Sequence, residues 1–172
     1  MLKVSNGTTA TNGFKISPGT KTNCPHSHKL RVLHLFGSST SLYYAQLSMA
    51  YAQQAVKALA NGTADRFEFL FARVHPRGDA AALNGECSSS SSSPTWSFPA
   101  SMGDADLAKA SGGRCGHSEG IGRIAALAID VAVPHMFCFD GMTTYRSLLD
   151  LLDVPFVGCD AATMALSTNK EN

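Results

Sequence analysis

Between Pro134 and Arg146 the chain reads PHMFCFDGMTTYR, a stretch dense in groups that bind small polar molecules. His135 offers an imidazole for a ligand or for the backbone. Asp140 leads into Gly141-Met142-Thr143-Thr144, and an apolar stripe starts at Tyr145, so the run reads as the beginning of a helix. There, free backbone N–H groups and the positive end of the helix dipole favour an anion. A carboxylate or phosphate would accept from those amides and from a threonine hydroxyl, with Arg146 one turn in as charge partner. The plainer alternative is that Thr143 or Thr144 caps the helix and Arg146 is solvated. A second set, Gly37, Ser38, Ser39 and Thr40, follows an apolar run and faces the same crevice if the strands before the two loops are parallel, again with capping as the alternative.

Other reactive side chains read as structural. Cys138 has no base partner legible in the sequence and is taken as a packed thiol. Cys24, His26 and His28 form a CxHxH cluster whose spacing is unlike structural zinc patterns, so no metal site is expected. No catalytic residue is assigned.

The elements that position these groups follow from periodicity. LRVLHLF, Leu30 to Phe36, is an apolar run of strand length closed by GSSTS. A helix is expected from Leu42 to Leu59, with Tyr44, Leu47, Tyr51, Ala55, Ala58 and Leu59 on its buried stripe and Asn61-Gly62 as its stop. Arg66 to Val74 alternates as a second strand. Short helices are expected at Asp104 to Ala110 and through Ile124, Ala125 and Leu127, then a third strand at Asp130 to Met136. Tyr145, Leu148, Leu149 and Leu152 give the stripe of a helix packed on a sheet. Val154 to Val157 reads as a fourth strand, and Asp160 is placed to cap a last helix. Strands alternating with helices imply an α/β fold of Rossmann-like type, a mainly parallel sheet with helices on both faces. GSSTS is not GxGxxG and no GxxxxGK[ST] occurs, which argues against a dinucleotide or P-loop site.

Composition narrows the function classes. With 172 residues, 44% hydrophobic, 16% charged and a net charge of +1, the chain is globular and has no general attraction to nucleic acid or anionic membrane. No apolar run approaches the roughly 20 residues of a membrane-spanning helix. Its five cysteines are scattered without a CxxC, which fits buried free thiols in a reducing compartment such as the cytoplasm. No Asp or Glu precedes Asp65, and residues 1–28 are rich in Lys, Ser and Thr, so this tail is expected to be disordered. The acid-poor, hydroxyl-rich opening makes a plastid the alternative location. Residues 76–94, with the serine run, read as a low-complexity insertion without function.

Two longer matches carry a resemblance. DGMTTYRSLLDLLDVPFVGCDAATMALSTNKEN resembles the segment of D-Ala-D-Ala ligases in which a Gly-rich loop leads into a leucine-rich helix, a GIPYVG-like strand and an alanine-rich helix ending in lysine. PHMFCFDGMTTYR resembles the PQMFC-xx-GMT-x-YR pattern of the D-Ala-D-Ala-ligase-like enzymes of mycosporine-like amino acid biosynthesis, and WSFPASMGDADLAKA is similar to a second stretch of that group. The resemblance covers about 30–74 and 95–172.

The resemblance implies an ATP-grasp ligase, which activates a carboxylate as an acyl phosphate with ATP and Mg²⁺ for attack by an amine. In the mycosporine branch it implies joining an amino acid such as serine or threonine to mycosporine-glycine. Residues 29–168 would be the preATP-grasp domain and 169–172 the start of a missing central domain, with Lys170 matching the lysine the family places toward the nucleotide phosphates. Gly37, Ser38, Ser39, His135, Asp140, Gly141, Met142, Thr143, Thr144 and Arg146 would be substrate-binding. This chain alone is expected to bind no cofactor tightly, and a homodimer is compatible with the resemblance. SLYYAQLS lacks the glutamate of D-Ala-D-Ala ligases and FDGM replaces their GEDG loop, which argues against a D-alanine substrate. Two other readings stay open: a non-catalytic α/β small-molecule-binding module and a fragment of a D-Ala-D-Ala-type peptide ligase.

Overall fold

The computed structural model describes residues 28–62, 65–78 and 93–168. The expected disordered tail, except His28, most of the serine-rich insertion, and Lys170 lie outside the described residues.

The apolar run at the start of the ordered chain forms β1 (Leu30–Gly37), buried from Val32 onward. It lacks polar alternation because it is covered on both faces and paired on both edges. β2 (Phe67–His75) and β4 (Val131–Pro134) flank it, both parallel, with Leu33 opposite Leu70 on one side and Ala132 on the other. β3 (Thr95–Ser97) adds to the far edge of β2 in the antiparallel sense, giving the order β3-β2-β1-β4.

The chain passes from β1 to β2 through α1 (Leu42–Ala60), then through β3, α2 (Asp104–Gly112) and α3 (His117–Ala126) to β4 on the other side of β1. Strand order therefore reverses at β1, and the crevice between the carboxyl ends of β1 and β4 is the topological switch point where open α/β sheets bind ligands. Beyond β4 the chain forms α4 (Phe139–Met142), α5 (Thr144–Leu151) and α6 (Ala161–Thr168).

Alternate residues of the central strands feed two cores. Leu33, Leu35, Ala72 and Val74 pack with Trp96, Ile124, Tyr145 and Leu149 on the α3 and α5 side, while Phe36 and Phe71 pack with Ala52 and Leu107 on the α1 and α2 side. This is the expected Rossmann-like α/β sheet with helices on both faces. Asp160 caps α6 as expected, its Oδ1 accepting from the Thr163 amide at 2.6 Å. No helix among the described residues is long and apolar enough to cross a membrane.

Two expectations about elements need correction, and one strand is additional. The buried face of α1 is Ala45, Ser48 and Ala52, whereas Tyr44 and Tyr51 stay 41% and 54% exposed. Small side chains let the helix lie close to the sheet, and the tyrosines are displaced to its rim, where Tyr51 packs on the Phe137 ring at 4.9 Å. The fourth expected strand shrinks to one parallel bridge between Phe156 and Ala132. Pro155 accepts from Ala132 but has no N–H to return, and positive φ at Asp153 (53°) and Gly158 (111°) turns the chain away at both ends. The unforeseen strand is β3, too short for a periodic signal.

Candidate functional site

The switch-point crevice is built from the turn after β1 and the loop after β4. Gly37 holds φ at 111°, and a Cβ there would meet the Val74 carbonyl oxygen, so only glycine lets β1 end this close to β2. Its amide donates to Ser48 Oγ at 2.9 Å. Ser38 is fully buried, and its hydroxyl accepts from the amides of Thr40 (3.2 Å) and Ser41 (3.1 Å), which starts α1. Gly37 and Ser38 are thereby committed to the backbone, and Ser39 is the residue that reaches across.

Ser39 Oγ donates to Asp140 Oδ2 at 2.7 Å, although the two are 101 residues apart. Arg77, just past β2, completes a three-way contact. Its amide donates to the Ser39 carbonyl at 3.0 Å, and its guanidinium lies 3.6 Å from Asp140 Oδ2. Beside this group is a cavity of about 220 Å³ lined by Arg77, Ser93, Pro94, His117, Asp140, Thr144 and Tyr145. His117 Nδ1 accepts from the Trp96 indole at 2.9 Å. Burial, and secondarily Arg77, holds the His117 imidazole below its ordinary pKa. Burial pushes the Tyr145 phenol well above the usual range, so it stays a neutral hydroxyl. The cavity thus offers one guanidinium, one carboxylate and neutral donors within reach of a small molecule.

The loop after β4 differs from its expected form. The helical turn begins at Phe139, two residues before the Gly141 to Thr144 run read as the helix start, and the amides of Met142 and Thr143 are spent on the carbonyls of Cys138 and Phe139 at 3.0 Å each. The Thr143 hydroxyl donates back to the Phe139 carbonyl at 2.7 Å instead of capping α5. The amides of Met142 and Thr143 are therefore not free to meet an anion, and it is Asp140 and Thr144 that line the cavity. Gly141 is buried, with no room for a Cβ against Met136, and Met142 is half-buried.

Two further site residues are placed elsewhere. His135 Nε2 lies 2.9 Å from His34 Nδ1, the rings stacked with centroids 5.2 Å apart, on the Phe69 and Phe71 side of the sheet. Arg146 is buried; its guanidinium donates to the Cys159 carbonyl at 2.8 Å and covers the Phe156 ring at 5.5 Å. It pins the loop after the Phe156 bridge, where Gly158 lies against it. Of the cysteines, Cys115 and Cys138 are buried free thiols and Cys159 is exposed. Among the described residues no group of three or more His, Cys, Asp or Glu could hold a metal ion.

Sequence reasoning missed Arg77, His117 and Tyr145 as cavity residues. Arg77 falls at the edge of the low-complexity stretch and His117 in a Gly-rich connection, so neither carries a local signal. Tyr145 was legible only as a core position, which it also is at 3% exposure.

The fold is a Rossmann-like α/β domain with a cavity beside the Ser39–Asp140–Arg77 contact. The D-alanine-D-alanine ligase from Coxiella burnetii has a similar structure, with a TM-score of 0.51 and 15% identity over 83% of this chain and 39% of that one. D-alanyl-alanine synthetase A from Vibrio cholerae O1 biovar eltor str. N16961 also matches, with a TM-score of 0.47 and 20% identity over 83% of this chain and 34% of that one. The first of these shows that the fold recurs in part of a D-alanine-D-alanine ligase, and the chain spans well under half the length of either match. No protein-family model matches the chain, and no curated protein does.

Proposed function

We propose that the chain is the substrate-side domain of an ATP-dependent carboxylate-amine ligase that joins an amino acid to mycosporine-glycine. The observation that supports this most is the Asp140 site, where Ser39, Arg77 and Asp140 meet at the switch point of a sheet whose fold recurs in a D-alanine-D-alanine ligase. Asp140 and Arg77 present opposite charges 3.6 Å apart, which complements a zwitterion. The stretch PHMFCFDGMTTYR, which supplies Asp140 and Thr144, supports the mycosporine branch.

ATP and Mg²⁺ enter this proposal as cofactors of a larger enzyme. The described residues do not fit them: Asp104 and Asp106 lie on α2, Glu119 on α3 and Asp150 on α5, and the turn after β1 is not a Gly-rich phosphate loop. In this reading the domain binds and orients the substrate.

Calorimetry of the 172-residue chain with ATP and Mg²⁺ is expected to show no saturable binding in the micromolar range. ADP release by the longest product of the gene is expected when mycosporine-glycine and serine or threonine are both supplied. Tight Mg²⁺-dependent ATP binding by the chain would move the nucleotide site into this domain, and ADP release with D-alanine alone would replace the substrate assignment. A non-catalytic binding module is the second reading, favoured by a cavity lined by residues of this chain; ligand binding without ADP release by the longest product would select it.

A further inference from the structure

The Trp96 indole is fully buried, and its N–H can only donate. Its 2.9 Å contact therefore makes His117 Nδ1 an acceptor and leaves the proton of the neutral ring on Nε2. The indole is not free to move. The Trp96 backbone pairs with Val74 on β2 and exchanges hydrogen bonds of 3.0 and 2.8 Å with Cys115 on its other side. Gly120, one turn into α3, lies so close to the Trp96 ring that a Cβ there would collide with it. A second proton on the imidazole would set two donors against each other at Nδ1.

His117 lines the cavity together with Arg77, Asp140 and Tyr145, and with Nδ1 engaged by the indole the Nε2–H is the ring group left to meet a ligand. We infer that His117 is a ligand-binding residue, a neutral Nε2–H donor to a carboxylate or carbonyl oxygen, and that Trp96 is the positioning residue that fixes its tautomer. Arg77 then supplies the charge for the same oxygen pair, and Asp140 meets an ammonium group. A protonated imidazole would be a promiscuous cation; a locked neutral donor adds direction to the Arg77 charge without adding a second charge.

Only the identity of the ligand rests on the proposed function; the tautomer does not. Long-range ¹H–¹⁵N correlation spectra of the labelled chain read the tautomer directly, and glycine is the probe for binding. The spectra should show His117 with its proton on Nε2 and a shift of that signal on titration with glycine. His117→Leu should weaken glycine binding by about tenfold or more, whereas His117→Gln, which keeps a donor near the Nε2 position, should stay within about threefold of wild type. Equal losses in both variants would reduce His117 to a partner for Trp96 and overturn the inference, as would a proton on Nδ1 or no glycine binding at all. Glycine binding with the predicted tautomer but no ADP release by any longer product would overturn the ligase reading alone.

Discussion

Ser39 Oγ and Asp140 Oδ2, 2.7 Å apart, close a bond between the turn that ends β1 and the short helix after β4. Asp140→Asn keeps an oxygen acceptor for Ser39 and removes the charge that faces Arg77. Folding stability should stay near wild type, while amino-acid binding falls by about tenfold or more. Asp140→Ala should also destabilise by about 1–3 kcal/mol, because the buried Ser39 loses its acceptor. Urea unfolding and calorimetry with glycine separate the two effects; an Asn variant that binds like wild type would remove Asp140 from the site.

Gly37→Ala should be among the most damaging small substitutions in the chain. The position needs φ of 111° and has the Val74 carbonyl where a Cβ would go, so the variant meets backbone strain and a collision together. A loss of about 2 kcal/mol or more is expected. A melting temperature unchanged from wild type would show that the β1 turn relaxes freely.

Arg146→Ala should act on stability. The side chain bonds the Cys159 carbonyl, stacks over Phe156 and leaves Gly158 no room for a Cβ, so its loss frees the loop that follows the Phe156 bridge. A cost of about 1–3 kcal/mol is expected, with glycine affinity of the folded variant close to wild type. Thr143→Val removes a hydrogen bond to the Phe139 carbonyl and should cost about 1 kcal/mol. Loss of ligand affinity in Arg146→Ala at full folding would return this residue to the site.

Acid should weaken the fold through two buried histidines. Burial, with His135 adding to it, brings His34 from 6.5 down to about 4; burial, with Arg114 and Arg73 adding to it, brings His75 from 6.5 down to about 3. Both pKa values are depressed in the folded state, so the unfolded chain takes up protons that the folded chain refuses. Stability is complete above about 6.5, falls as the pH drops to about 4 for His34 and about 3 for His75, and stops falling below those values. The slope is at most about 1.4 kcal/mol per pH unit for each histidine. His75→Gln keeps a donor near Ser97 and does not titrate, so its unfolding free energy should depend less steeply on pH; a slope equal to wild type would sink the assignment.

The sheet was legible where its signals are local. Leu30 to Phe36 is an unbroken apolar run ended by a turn, and Tyr145, Leu148 and Leu149 repeat at helical spacing, so their elements were readable without partners. The face of α1 was not, because its contact residues are Ala45, Ser48 and Ala52, which carry little hydropathy and are chosen for size. Parallel pairing placed the β1 turn and the β4 loop in one crevice, which put Ser39 and Asp140 together. Trp96 and His117 escaped notice because each depends on a partner 21 residues away and β3 has only three residues.

The antiparallel pairing of β2 and β3 bears on how the gene can change. β2 ends and β3 begins as paired neighbours, so the chain between them, residues 76–94, has no sheet to span. For loops in general, closure entropy grows with the logarithm of length, and each doubling costs only about 0.6 kcal/mol. A change in the number of serines from Ser88 to Ser93 should thus cost little in folding free energy, provided Arg77 and Pro94 keep their places in the lining of the cavity.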